Sequence, residues 1–324
     1  MARKIIAIVS DIHYAGAAEE ARGDDYEIRA LANPLLRFCL RTYRRYVWLH
    51  QPLRQNYLLD AFLRQTVGAD LAVANGDYSC DSAFIGVSDP AAGASASECL
   101  AKLRSQFGNA FLATFGDHEL GKKSLVGGRG GMRLASWEHA RENLKLDPLW
   151  QVSVGRNRLI GVTSSLIALP VFEPDTLPEE RSQWHELRAA HLEQIRQTFA
   201  AIRSDERIML FCHDPTALPF LGAEPKIRSR MAQVNTTFIG HLHSPLILRQ
   251  ARAMAGLPRI PFLGNTVRRL STALREARHW EPFKVRLCPS LAGLELVKDG
   301  GYYLASLDLD AHEPAQFYFR RLAR

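Results

Sequence analysis

Long apolar runs are absent from this sequence. Nowhere do about eighteen apolar residues follow one another, so no membrane-spanning helix is expected. The one early run, Ile5 to Val9, is too short for the apolar region of a signal peptide and reads as a buried first strand, with no targeting segment. Cysteine is scarce. The five residues Cys39, Cys80, Cys99, Cys212 and Cys288 are odd in number, widely spaced and contain no C-x-x-C. That excludes a disulfide framework and a zinc ribbon, and it leads us to expect reduced thiols in a cytoplasmic protein. No fixed-period repeat and no low-complexity tract occurs, which excludes repeat architectures. The composition is ordinary for a globular chain, 47% hydrophobic and 23% charged. The net charge of +7 leans toward anionic partners such as phosphorylated substrates or membrane surfaces. The basic residues are not interleaved as a nucleic-acid stripe, so no nucleic acid is expected.

Six short β-branched-rich runs end in polar or glycine residues: 4–10, 70–77, 110–117, 158–165, 207–214 and 236–243. Runs of this kind read as strands buried on both faces. Helical spacing of apolar residues falls between them, at 95–107, 133–144 and 179–204. Strands alternating with helices imply an α/β fold. The segments "GGYYLASLDLD" and "AQFYFRRL" read as a closing hairpin. The expected organisation is one domain over 1–324, with an early helical insertion at about 20–66.

Residues with metal-ligand chemistry sit just past the ends of these strands. They are Asp11 and His13, then Asp77, then Asp117 and His118, then His213, then His241 and His243. Ligands at the carboxyl ends of strands converge on one edge of an open sheet. Imidazole suits zinc, iron and manganese; carboxylate suits manganese and iron and can bridge two ions. In an extended segment the i,i+2 pairs Asp11/His13 and His241/His243 would each face one side.

The motifs "SDIH", "NGD", "GDHE", "FCHDP" and "GHLHSP", spanning residues 10–245, resemble those of the calcineurin-like metallophosphoesterase superfamily. The resemblance implies an αββα sandwich with two divalent metal ions, manganese first among the candidates and iron or zinc next. It places Asp11, His13 and His243 on one ion, and Asp117, His213 and His241 on the other. Asp77 would bridge both, and His118 would stand beside the leaving group. The chemistry implied is attack by a bridging hydroxide, with the ions clamping attacking and leaving oxygens.

Two positions depart from that pattern. The family usually has asparagine where this chain has Asp117, so the direct carboxylates become three: Asp11, Asp77 and Asp117. Tighter cation binding and a weaker pull on phosphate are expected. The family often has a second aspartate three residues after the bridging one; here that position is Cys80, followed by Asp81. The orienting partner of His118 is then Asp81, Glu119 or neither.

Two stretches bear on the substrate. The loop "LGKKSLVGGRGGMR" (120–133) offers Lys122, Lys123, Arg129 and Arg133 as a phosphate clamp. It lacks the G-x-x-x-x-G-K-[ST] pattern, which excludes a P-loop. The insertion at 33–65 contains a helical pattern at about 100° per residue. Leu35, Leu36, Phe38, Cys39, Leu40, Tyr43, Tyr46, Val47 and Leu49 share one face, and Arg37, Arg41, Arg44, Arg45 and Trp48 the other. A basic amphipathic helix with tryptophan is expected either to meet a membrane surface or to cover an anionic substrate. The alternative is a helix packed on the core by its apolar face, with its arginines in water.

The expected function is a binuclear metal-dependent phosphoesterase or pyrophosphatase. A lipid-linked substrate and peripheral membrane contact are expected, resembling the UDP-diacylglucosamine pyrophosphatases. Those enzymes lack the histidine of GDHE. The alternatives are a soluble phosphomonoesterase or cyclic-nucleotide phosphodiesterase, and a non-catalytic scaffold of the same fold.

Overall fold

A computed structural model describes residues 2–29, 31–124, 128–256, 258 and 275–322. The tip of the glycine-rich loop, 125–127, lies outside the described residues.

The ten described strands form two five-stranded sheets. The first is built from β1 (Arg3–Val9), β2 (Leu71–Asn75), β3 (Phe111–Thr114), β9 (Gly301–Asp308) and β10 (Gln316–Arg321), in the order β10-β9-β1-β2-β3. The second is built from β4 (Leu149–Val154), β5 (Asn157–Val162), β6 (Arg207–Cys212), β7 (Val234–Ile239) and β8 (Val285–Leu287), in sequence order. β1, β2 and β3 run parallel, as do β5, β6, β7 and β8. The expected closing hairpin is the antiparallel pair β9 and β10.

Alternation along each strand explains the layering. Ile6 and Ile8 of β1 share one buried cluster with Val73, Leu159, Met209, Phe211, Phe238, Ala305 and Leu307, drawn from both sheets. That cluster is the inter-sheet core. Ala7 and Val9, one residue out of phase, pack instead with Leu58, Leu59, Phe62, Leu100 and Leu103. Those residues belong to helices, so the outer face of the sheet is covered by helix. The second sheet is covered in the same way, Ile160 and Val162 sharing a cluster with Ile195 and Phe199 of the helix Arg181–Ala200. Strands buried on both faces need apolar residues at every position, which is why these runs do not alternate with polar residues. The result is an αββα sandwich.

Five α-helices are described in the chain up to Leu120: α1 (Ala17–Arg22), α2 (Pro34–Tyr43), α3 (Asn56–Gln65), α4 (Pro90–Phe107) and α5 (Asp117–Leu120). α1, α2 and α3 lie in the chain between β1 and β2. α3 is part of the core layer, through Leu58, Leu59 and Phe62. α2 is not: none of its residues is buried. Asn33 caps it by accepting from Leu35 N–H at 2.9 Å, and Pro34 fills the first helical position.

The orientation of α2 corrects the expectation for this segment. Its apolar face points outward, with Leu35 70%, Phe38 67% and Tyr46 60% exposed. Arg37 and Arg44 turn toward the protein, while Arg41 stays about half exposed in a surface ion pair. Arg37 donates to the Leu31 carbonyl. Arg41 pairs with Asp25 at 2.6 Å, and Arg44 pairs with Glu27 at 3.1 Å beneath a largely covered surface. Arg44 also lies over the Tyr26 ring, 5.4 Å from its centroid. The physical reason is the turn before α2, whose Asp25, Glu27 and Leu31 carbonyl offer acceptors on the inner side. Arg45 is exposed over the Tyr46 ring and, among the described residues, makes no ion pair. Neither a core-packed apolar face nor a solvent-facing set of four arginines describes this helix.

Candidate metal centre

The parallel strands β1, β2, β3, β6 and β7 deliver the candidate ligands to one edge of the sandwich. Asp11 and His13 follow β1, Asp77 follows β2, and Asp117 opens α5 just after β3. His213 follows β6, and His241 and His243 follow β7. Most of them leave the strand by a left-handed backbone. Asp11, His13, Asp77, His241 and His243 have φ of 49°, 50°, 60°, 58° and 58°. Non-glycine residues seldom adopt this region, and such strain gathers where surrounding structure fixes side chains for function. It also corrects the reading of the i,i+2 pairs. Asp11/His13 and His241/His243 do converge, but through two left-handed turns and not through extended alternation.

Two glycines make the convergence possible. A Cβ at Gly116 would stand 2.1 Å from Asp77 Oδ1. A Cβ at Gly240 would stand 2.1 Å from Ser10 Oγ and 2.4 Å from Asp11 Oδ2. Each glycine precedes a ligand motif and leaves room for a carboxylate of another.

The donors fall into groups whose ligand atoms lie within 4.8 Å of one another: Asp11, His13, Asp77 and His243; Asp117, His213 and His241; and Asp77, Asp117 and His118. Asp77 therefore belongs to two groups, as does Asp117. His213 Nε2 is 3.2 Å from Asp77 Oδ2 and 3.3 Å from Asp117 Oδ1. His241 Nδ1 is 2.9 Å from Asp117 Oδ1. His243 Nε2 is 3.4 Å from Asp11 Oδ1 and 3.3 Å from His13 Nε2.

This arrangement suits two divalent cations. Asp77 Oδ2, Asp117 Oδ2 and His213 Nε2 are buried and make no hydrogen bond among the described residues, which is costly unless a cation satisfies them. The Nε2 atoms of His13 and His243 face each other, and neutral imidazoles so placed want a proton or an ion between them. Other donors hold the ligands from behind. His213 Nδ1 bonds the Asn75 carbonyl, which leaves Nε2 for the centre. Asp11 accepts from Ser10 Oγ at 2.6 Å and from His241 N–H at 2.9 Å.

The electrostatics express the same demand for positive charge. Burial lowers the His213 imidazolium, yet Asp77 and Asp11 raise it further, and the net direction is well up. His241, opposed by burial and favoured by Asp117 and Asp214, is pushed up to about 9. Burial raises the Asp117 carboxyl, but His241 and Lys122 carry it well below the usual range. His243 moves the other way, well down, through burial and the neighbouring His13 and Lys122.

His118 is buried beside this cluster, its Nε2 3.7 Å from Asp77 Oδ2. Burial, with Lys122 and His13 beside it, pushes it down to about 3, so the ring is neutral near pH 7. Its Nδ1 faces the Ser79 carbonyl at 3.0 Å, which fixes Nδ1 as the protonated nitrogen of the neutral ring. The orienting partner is thus a backbone oxygen. Asp81 is committed to Gly86 N–H at 2.9 Å. Glu119 accepts from Gly116, Asp77 and Tyr78 N–H at 2.7, 3.0 and 2.8 Å, fastening the bridging-carboxylate turn to the α5 turn. Cys80 is buried, and its thiol donates to the His13 carbonyl at 3.1 Å.

Of the basic loop, only Lys122 reaches the cluster among the described residues. Its Nζ is 3.6 Å from Asp117 Oδ2 and contacts His118 Nε2. Lys123 turns to the Pro174 carbonyl and Asp175. Arg129 donates to the Tyr26 carbonyl and stands over Phe84. Arg133 donates to the Met132 carbonyl at 2.8 Å. Arg37, Arg41 and Arg44 are engaged by the turn before α2 instead.

Two features of the site go beyond the residues the sequence singles out, and a third residue, Trp48, is one that it singled out for a different place. The Ser79 carbonyl is backbone and carries no side-chain mark. Asp214 stands 3.9 Å from His241 Nε2, and its place in "CHDP" was the available clue. Trp48, at the end of a π-helical turn Arg44–Trp48, sets its ring 5.2 Å from that of His243. Single π turns inserted in helices are frequent at functional sites.

No protein-family model matches the chain, and no curated protein does. Solved structures similar in fold include a dimetal phosphatase from Danio rerio, 12% identical, with a TM-score of 0.46 over 94% of this chain and 92% of that one. An uncharacterised protein from Streptococcus pneumoniae TIGR4, described as a predicted phosphoesterase, is 11% identical with a TM-score of 0.29 over 99% of each chain. A phosphopantetheinyl hydrolase from Mycobacterium tuberculosis is 13% identical, with a TM-score of 0.35 over 75% of this chain and 84% of that one. Likenesses this distant bear on neither substrate nor reaction.

Proposed function

We propose that this chain is a metal-dependent phosphoesterase with a binuclear centre. The observation that carries the reading is the buried carboxylate of Asp77, which groups with Asp11, His13 and His243 and whose Oδ2 also lies 3.2 Å from His213 Nε2 of the other group, with no hydrogen bond among the described residues. In this reading Asp11, His13 and His243 hold one ion, Asp117, His213 and His241 the other, and Asp77 both. Manganese, iron or zinc suits the donor set. Two such ions would activate the attacking water and neutralise the phosphoryl oxygens of an in-line displacement. The chain's own residues do the rest. His118 faces the leaving oxygen from beside the centre. Lys122 adds a cation there. Glu119 keeps the Asp77 and Asp117 turns in register, and the Ser79 carbonyl fixes the His118 ring.

A second, finer reading concerns the substrate. The outward apolar face of α2 and the Trp48 ring beside His243 favour a phosphate or diphosphate ester with a large apolar part, a lipid-linked diphosphate such as UDP-diacylglucosamine among them. In this reading the insertion at about 20–66 caps a single domain through α2 and the turn after it, and Leu35, Phe38 and Tyr46 meet a bilayer surface or an acyl chain. The arginines are structural to the cap, Arg45 excepted. A soluble phosphomonoesterase or cyclic-nucleotide phosphodiesterase would leave that face without a use.

One panel separates these readings. Manganese-loaded protein is assayed on aryl phosphate mono- and diesters, cyclic nucleotides and nucleotide-diphospho-lipids, the last in vesicles. Hydrolysis abolished by chelation and restored by manganese is the expected result for the phosphoesterase; no turnover of any member with both ions bound would leave only the scaffold. For the lipid reading, Leu35→Ser/Phe38→Ser is expected to lower lipid-substrate turnover at least about tenfold, while soluble-ester turnover stays unchanged. Equal turnover of both substrate types by this variant, together with no flotation of wild type on anionic vesicles, would remove it.

A further inference from the structure

Three carboxylates, Asp11, Asp77 and Asp117, face the space where the donor groups meet. Two divalent cations set against three carboxylates leave a single net positive charge. A phosphate monoester near neutral pH brings about two negative ones. A centre composed in this way falls short of its substrate by about one charge, and histidine ligands, neutral when they coordinate, add none.

Lys122 stands where the deficit falls. α5 places Asp117 at its first position, and Gly121, with φ of +93°, turns the chain back so that Lys122 returns to the centre. Its Nζ is 3.6 Å from Asp117 Oδ2 and contacts His118 Nε2. Among the described residues, Asp11, Asp77 and Asp117 have no other ion pair to a lysine or arginine; their remaining pairs are to histidines. The Lys122 side chain is 26% exposed against 6% for that of Asp117, so solvent reaches part of the side chain whose ammonium lies against the buried carboxylate.

We propose that Lys122 is the counter-cation of Asp117, offsetting the third carboxylate of the centre and presenting its ammonium to the phosphate of the substrate. This rests on the two-metal reading. It predicts effects of opposite sign on cation and anion binding, which a merely structural lysine would not produce.

The test is calorimetric titration of metal-free protein with Mn²⁺, followed by inorganic phosphate added to the loaded protein. Wild type, Lys122→Met, Lys122→Arg, Asp117→Asn and the Lys122→Met/Asp117→Asn double variant are compared. Removing one positive charge beside a cation site should tighten Mn²⁺ binding about tenfold in Lys122→Met. The same variant should bind phosphate about tenfold more weakly. Asp117→Asn should weaken Mn²⁺ binding, and the double variant should return to within about threefold of wild type. Lys122→Arg, which keeps the charge, should follow wild type for both ligands. Unchanged Mn²⁺ and phosphate affinities in Lys122→Met would overturn the proposal. So would weakening of both ligands together in Lys122→Met and Lys122→Arg, the mark of a packing role. Failure of the underlying two-metal reading shows separately, as a wild-type stoichiometry below two ions.

Discussion

Asp77→Ala is expected to lose both metal ions together, and with them activity. Asp77 sits in a left-handed turn after β2, almost fully buried. Its Oδ1 accepts from His118 N–H at 3.0 Å, and its Oδ2 faces His213 Nε2 at 3.2 Å without a hydrogen bond among the described residues. The carboxylate thus ties the α5 turn to the centre with one oxygen and offers the other. Partners that only orient a ligand cost about 10–100-fold in metal affinity or activity when removed, so loss of the shared ligand should exceed about 100-fold. Metal analysis of the purified variant decides the matter. Two ions retained per chain would show that Asp77 is not shared. The fold should survive, because Glu119 bonds the backbone N–H groups of Asp77 and Tyr78, not the Asp77 side chain.

His118→Asn is expected to slow esters with poor leaving groups by about 10²–10⁴-fold, the usual range for loss of general acid catalysis. Nitrophenyl esters, whose leaving group needs no proton, should lose much less. The geometry gives the reason. The Ser79 carbonyl holds Nδ1, so Nε2 is the atom presented to the site, 3.7 Å from Asp77 Oδ2 and in contact with the Lys122 ammonium. In this role Nε2 takes a proton from the Lys122 ammonium and gives it to the departing oxygen, leaving Lys122 neutral until solvent returns the proton. Asparagine fills similar space but carries no such proton. Equal losses on both ester types would instead make His118 a residue that positions phosphate.

The αββα layering was legible because strands buried on both faces announce themselves as unbroken apolar runs, as in "KIIAIV" and "RIMLFC". β4 was missed for the opposite reason. It is half-buried, with Trp150, Val152 and Val154 alternating against exposed Gln151 and Ser153, and no run of apolar residues marks it. β8 is three residues long and too short to read. At the site, residue types at strand ends pointed to the side chains that the fold gathers. The backbone that gathers them was not legible, since five left-handed residues at non-glycine positions run against local preference and are imposed by tertiary contacts. The partner of His118 is a main-chain carbonyl, which no residue letter encodes. The facing of α2 was left open because helical periodicity divides a helix into two faces but does not say which one meets the protein. Asp25 and Glu27, only a few residues upstream, settle that by pairing with Arg41 and Arg44.

The central claim is that Asp77 lies between two cations, and one measurement tests it most directly. Crystals of the manganese-loaded chain, with anomalous scattering collected at the metal edge, should show two peaks per chain about 3.5–4 Å apart. One peak should lie against Asp11, His13 and His243, the other against Asp117, His213 and His241, with Asp77 between them. A single peak, or two peaks with Asp77 touching only one of them, would contradict the account.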